Sequence, residues 1–210
     1  MNSVHLLFQS DRFAKKETIE KLFSKLLKTS YELEETPSNI YKISLPGGMA
    51  SQAVVEASFT AAANDFPGSI KALIVPCFKE SFTAYLPYVK EDKILYLYEV
   101  GREHPEIYED GQNLLAMFDE ESLLTVKTYI ETERSPFLSA LRLYVHRNTV
   151  SYRIERFEDK SGISLENWGN QMYVYELIRT YEKIHDNTGL FFARGLCPLR
   201  HREITERIFD

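Results

Sequence analysis

Two hydrophobic periods divide this chain. Up to about residue 100, short apolar runs of strand length alternate with stretches of helical spacing; beyond it the strand signals stop and the period is helical. Residues 3–8 and 40–45 have strand spacing, and residues 70–75 form the nearly unbroken apolar run of a strand covered on both faces. Residues 15–28 carry Ile19, Leu22, Phe23, Leu26 and Leu27 at helical spacing, and the alanine-rich residues 52–65 predict a second helix. Turn signals at 36–39, 46–48 and 66–69 separate these elements. Residues 79–89 are ambiguous because Pro87 interrupts them, residues 93–100 read as a strand, and the polar residues 101–106 read as a linker.

Four helices are expected after that. Asp119 can cap the first, which begins at Glu120-Glu121 and presents Leu123, Val126 and Ile130 on one face, joined by Leu124 and Tyr129. Ser135-Pro136 is an N-cap followed by a first-turn proline, opening a second helix whose buried stripe is read as Leu138, Leu141 and Tyr144. The third spans about 147–160 and stops at Gly162; the fourth runs over 170–185, with Val174, Leu177, Ile178, Tyr181 and Ile184 inward. The fold class that follows is α+β. A small α/β or α+β unit over 1–107, for sensing or dimerisation, precedes an all-α unit over 108–187, and no role is assigned to residues 188–210.

Composition narrows the chemistry. A chain of 210 residues can bury a real core, and its apolar runs are far too short to span a bilayer. The first residues lack the basic start and long apolar middle of a secretion signal, so a cytoplasmic protein without membrane partners is expected. Cys77 and Cys197 are far apart and the five histidines show no ligand spacing, so neither a metal nor another cofactor is expected. Pro46-Gly47-Gly48 lacks the lysine and glycine spacing of a phosphate loop and reads as a turn. Glu32, Glu34 and Glu35 read as a solvated edge. Cys77 follows a buried-type strand and is the one residue on which a small α/β enzyme would be argued; its unpaired spacing favours a structural role, and no enzyme is expected.

The net charge of −6 weighs against nucleic acid, but it hides a local reversal: Arg134 to Lys160 holds basic residues at 134, 142, 147, 153, 156 and 160 against acidic ones at 155, 158 and 159. That excess coincides with the third helix. At about 100° per residue, Val150, Ile154 and Phe157 share one arc, while Asn148, Tyr152, Glu155 and Arg156 fall opposite, with Thr149 and Ser151 on the flanks. Arg147 stands at the N-terminal end, where recognition helices meet base edges. Arginine can bond guanine twice, asparagine can pair with adenine, and hydroxyls suit phosphates. Arg142 or Arg134 on the preceding helix could neutralise phosphate. An ordinary solvated helix would show the same geometry.

The residue run discriminates further. Residues 123–130, then Leu143-Tyr-Val-His-Arg-Asn-Thr-Val-Ser-Tyr-Arg-Ile154, then Lys160-Ser-Gly-Ile163, resemble the C-terminal helix-turn-helix domain of the PucR family of bacterial transcription regulators, a domain shared with sugar-diacid regulators. Tyr108-Glu-Asp and Leu114-Leu115 resemble what precedes that domain, so the resemblance covers about 108–185. It implies a regulator that binds double-stranded DNA as a homodimer, with an upstream sensing region that answers a small-molecule effector. A reduced, degenerate nucleotide-cyclase-like (GGDEF-like) unit over the first hundred residues is one form it allows. The DNA-facing positions it implies are Arg147, Asn148, Thr149, Ser151, Tyr152 and Arg156. The chain departs at Leu141 and Arg142, where small residues are usual, and at Ser151, often basic or amide-bearing. The rival reading is an interaction or scaffold protein that keeps the helix-turn-helix fold without binding DNA.

Overall fold

The computed structural model describes residues 3–10, 16–26, 31–36, 40–46, 52–66 and 68–185. The expected turns at 37–39 and 47–48, and the tail after residue 187, lie outside the described residues. Among the described residues five strands form one mixed sheet: β1 Ser3–Ser10, β2 Glu32–Glu35, β3 Ile40–Pro46, β4 Ile70–Val75 and β5 Ile94–Tyr96, in the order β2-β3-β1-β4-β5. β1 is central and antiparallel to both neighbours, pairing Leu6 with Ile43 and Leu7 with Leu73, while β4 and β5 run parallel. The period-2 alternation of β1 explains its place, since successive side chains serve opposite faces. Leu6 and Phe8 pack with Ile19 and Phe23 of α1 (Lys16–Leu26) and with Val55 and Phe59 of α2 (Gln52–Asp65). Leu7, Leu73 and Val75 look the other way.

That second face is covered by the helical half of the chain. A 3-10 helix, Glu80–Tyr88, settles the ambiguous stretch: Phe82, Tyr85 and Leu86 go inward, and Pro87 sits near its end. The strand expected over 93–100 is cut short, because β5 ends at Tyr96 and Leu97–Gly101 form α3. The Glu99 carboxylate accepts the Tyr96 N–H at 2.7 Å, and Leu97 and Val100 are buried at helical rather than strand spacing. Of residues 101–106, read as a linker, Arg102, Glu103, Pro105 and Glu106 are exposed, while Gly101 is buried against Tyr108 and the His104 ring centroid lies 3.7 Å from that of Tyr88. The short helices α4 (Glu106–Glu109) and α5 (Gln112–Leu115) then lead to α6 Glu120–Glu131, α7 Pro136–Leu143, α8 Arg147–Ser161 and α9 Trp168–His185.

One apolar cluster runs from Leu7, Leu73 and Val75 through Phe82, Tyr108 and Tyr173 to Leu123, Val150 and Phe157. α9 is its spine, packing on α3, α4, α5 and α6, and the Lys127–Glu182 ion pair at 2.6 Å ties α9 to α6. Val174, Leu177 and Ile178 are buried as expected, whereas Ile184, expected inward, is half exposed near the helix end. Among the described residues no helix is long and apolar enough to cross a membrane.

Candidate nucleic-acid interface

Three helices and two tight connections hold the candidate surface. α6 begins where the Asp119 carboxylate accepts the Ser122 N–H at 2.8 Å, a bond that holds the Asp119 carboxyl below its ordinary pKa. α6 passes to α7 through Glu133 and Arg134, both left-handed at φ 53° and 64°, an arrangement non-glycine residues adopt at a cost. The Arg134 N–H offsets part of it by reaching back to the Tyr129 carbonyl at 2.8 Å. Ser135 caps α7 by accepting from Leu138 N–H at 3.2 Å. Tyr144, left-handed at φ 55°, ends it, and His146 caps α8 with Nδ1 accepting the Asn148 N–H at 3.2 Å. Gly162, at φ 68°, closes α8.

α7 corrects the sequence reading. Its buried side is Ser139 and Ala140, with Leu143 half-buried, while Leu138, Leu141 and Tyr144, the expected stripe, point to solvent with Phe137. Small residues inside allow α7 to approach α6 and α8 closely, and the Ser139 hydroxyl is satisfied there, donating to the Ser135 carbonyl at 2.7 Å and lying 2.7 Å from Thr132 Oγ1. The small positions of this helix are therefore 139 and 140. The bulk of Leu141 and Arg142 falls outside the packing.

α8 turns Val150, Ile154 and Phe157 into the core, as its periodicity requires. Arg147, Asn148, Tyr152 and Arg156 are exposed and Thr149 and Ser151 half-buried, so the six sequence-identified positions lie off the buried stripe. Arg147 and Asn148 form the N-terminal turn. Thr149, Tyr152 and Arg156 border an open groove whose other wall is Asp119, Glu120 and Glu121 at the start of α6. That wall is acidic, and it faces Thr149, Tyr152 and Arg156 across the groove. Neither arginine outside α8 is idle: Arg142 pairs with Glu131 at 2.8 Å, and Arg134 donates to the Glu166 carbonyl at 3.3 Å.

Arg153 is the residue sequence reasoning missed. It bonds the Glu121 carboxylate and donates to the hydroxyl of fully buried Thr125 at 3.1 Å, so it braces α8 against α6. Its signal was adjacency to Ile154 in the Tyr-Arg pair, which puts a long cation at the margin of the buried arc. Cys77 is half-buried in the core next to the sheet, and burial pushes its thiol up, away from the thiolate a nucleophile needs. Among the described residues no cluster of three or more metal-ligating side chains occurs.

Known proteins match this region. Residues 123–177 match the PucR C-terminal helix-turn-helix domain, so α6 to α9 carry that domain. The purine catabolism regulatory protein of Bacillus subtilis (strain 168) is 47% identical over 49 residues, which is 23% of this chain and 9% of that protein. An uncharacterized B. subtilis protein, YxkF, is 36% identical over 61 residues, 28% of this chain and 20% of the relative. The match thus spans a fifth or less of these relatives. A solved regulator of polyketide synthase expression from Bifidobacterium adolescentis aligns over 88% of this chain and 82% of its own, at 17% identity and a TM-score of 0.39.

Proposed function

We propose that this protein is a cytoplasmic transcription regulator that binds double-stranded DNA as a homodimer, with α8 as recognition helix. The observation that carries the reading is the PucR-type helix-turn-helix domain at 123–177 together with an α8 whose polar residues stand clear of its buried stripe. Arg147 and Asn148 enter the major groove first, reading guanine and adenine edges. Thr149, Ser151, Tyr152 and Arg156 contact phosphates or flanking bases. Residues 108–187 do the binding, and residues 1–107 sense a small-molecule effector or support the dimer.

Fluorescence anisotropy on the DNA upstream of the protein's own operon tests this, at two salt concentrations. Binding that weakens steeply with salt is expected, because each phosphate contact releases counterions. Absence of binding at low salt overturns it. A second reading, a scaffold that retains the fold without DNA, is favoured by the acidic wall Asp119-Glu120-Glu121 beside α8 and by the engagement of Arg142 and Arg153 with carboxylates. That outcome would appear as no DNA binding by a folded protein.

A further inference from the structure

The end of α8 that reads bases in the proposed function stands ahead of the helix's anchorage in the core. Val150 is the first buried residue of α8, with Ile154 and Phe157 beyond it and the Arg153 brace between them. Arg147 and Asn148 precede all of these and are exposed. What holds their turn is His146. Only Val145 and His146 separate the left-handed Tyr144 from α8, and the Val145 N–H closes the connection on the Ala140 carbonyl at 3.1 Å. The His146 backbone is then extended, at φ −74° and ψ 145°, as an N-cap requires. Its carbonyl accepts the Thr149 N–H at 2.9 Å, and its Nδ1 accepts the Asn148 N–H at 3.2 Å. The first N–H groups of a helix have no carbonyl four residues back, so the imidazole supplies what the helix cannot.

We infer that His146 is a positioning residue for base reading. Through the Asn148 N–H it holds the turn that carries Arg147 and Asn148, and so sets the preference for one DNA sequence over another. The inference rests on the DNA reading proposed above. Base contacts specify and phosphate contacts give general affinity, and the two kinds sit on different parts of this helix. Tyr152 and Arg156 lie past Val150, on the stretch that core packing holds, so general affinity does not depend on the cap. The choice of side chain fits the place. Histidine is not among the usual N-caps, and the neighbouring helices use a carboxylate, Asp119, and a hydroxyl, Ser135. A carboxylate beside Arg147 would oppose incoming phosphate, whereas a ring nitrogen without a proton accepts the N–H and brings no negative charge.

Two measurements on the full chain test this. Hydrogen exchange of the Asn148 amide reads the cap without DNA. His146→Ala should speed it about fivefold, the usual worth of an N-cap, and an unchanged rate overturns the inference. Fluorescence anisotropy reads the consequence on two duplexes of equal length and composition, the DNA upstream of the protein's own operon and a scrambled version of it. His146→Ala should lower the ratio of the two affinities by about fivefold, while binding to the scrambled duplex and circular dichroism stay those of the parent. His146→Asn, which caps a helix without a charge, should restore the ratio. An Ala variant with the parent's ratio overturns the inference. So does an Asn variant no better than Ala, which would make the ring itself a DNA contact. A parent that binds both duplexes alike removes the DNA reading and this inference with it, and the amide exchange then reports the cap as a feature of the fold alone.

Discussion

Among the described residues Arg147 and Arg156 form neither an ion pair nor a side-chain hydrogen bond, whereas Arg142 and Arg153 pair with carboxylates and Arg134 donates to the Glu166 carbonyl. If Arg147 and Arg156 each meet DNA, alanine at either position should cost about 1–3 kcal/mol of binding where a base is read. Where a phosphate is met instead, the salt dependence should flatten by about one counterion. Anisotropy titrations at several salt concentrations separate the two, and both variants binding like the parent would sink the assignment. Arg153 predicts a different signature. Arg153→Met removes the bonds to the Thr125 hydroxyl and the exposed Glu121 carboxylate, while Thr125 keeps its bond to the Glu121 carbonyl, and should lower stability by about 0.5–1.5 kcal/mol in urea unfolding. DNA affinity should fall with the salt slope unchanged, because no phosphate contact is lost; a flatter slope would make Arg153 a DNA contact instead. The outward face of α8 was legible because a 3.6-residue period needs only local sequence. The brace was not, because its partners lie 28 and 32 residues away on α6.

At the scale of elements, caps were the most readable features. Asp119, Ser135 and Gly162 act where single residues demanded it, since capping is a bond between near neighbours. Asp119 adds a pH dependence. Its carboxyl titrates below the ordinary value because the charged form accepts the Ser122 N–H, so its contribution is full above the unfolded-state pKa and is lost as pH falls through the folded one. Asp119→Ala should cost about 0.5–2 kcal/mol at neutral pH. Asp119→Asn should keep most of the cap but lose that acid-dependent part, so the parent and the Asn variant should converge in stability as pH falls through the lowered folded-state value. A constant gap between them across the acid range would refute the cap's role. Two elements misled. The strand read over 93–100 gave way at Leu97 because the alternation was also compatible with a turn of helix that the Glu99 carboxylate could start. α7 showed a regular apolar stripe, and burial chose the opposite side because Ser139 and Ala140 admit a closer neighbour. Periodicity names the faces of a helix; it does not say which one a partner will cover.

The whole molecule turns on a seam of tyrosines against glycines that no pattern in the sequence announces. A Cβ at Gly169, at the start of α9, would lie 2.0 Å from the Tyr96 ring; at Gly111 it would meet Leu177 at 2.5 Å, and at Gly101 the Tyr108 hydroxyl at 2.6 Å. Tyr96 is buried at the end of β5, so its ring cannot swing aside, and Gly169→Ala should cost about 1–3 kcal/mol through forced displacement. The seam joins the sheet to α9, and through α9 to α6 and α8, in one apolar cluster. Such continuity predicts a single cooperative transition rather than separate melting of sheet and helix-turn-helix. The chain's one tryptophan, Trp168, reports on the seam directly, its ring edge-on to Tyr98 at 5.0 Å and to Tyr96 at 6.5 Å. In urea, Trp168 fluorescence and far-ultraviolet dichroism should trace coincident curves for the parent, and Gly169→Ala should move both midpoints down together. If the fluorescence transition came first in either protein, the seam would be a soft contact between two independently stable units. Any effector signal from residues 1–107 would then have to reach α8 by a route other than rigid packing.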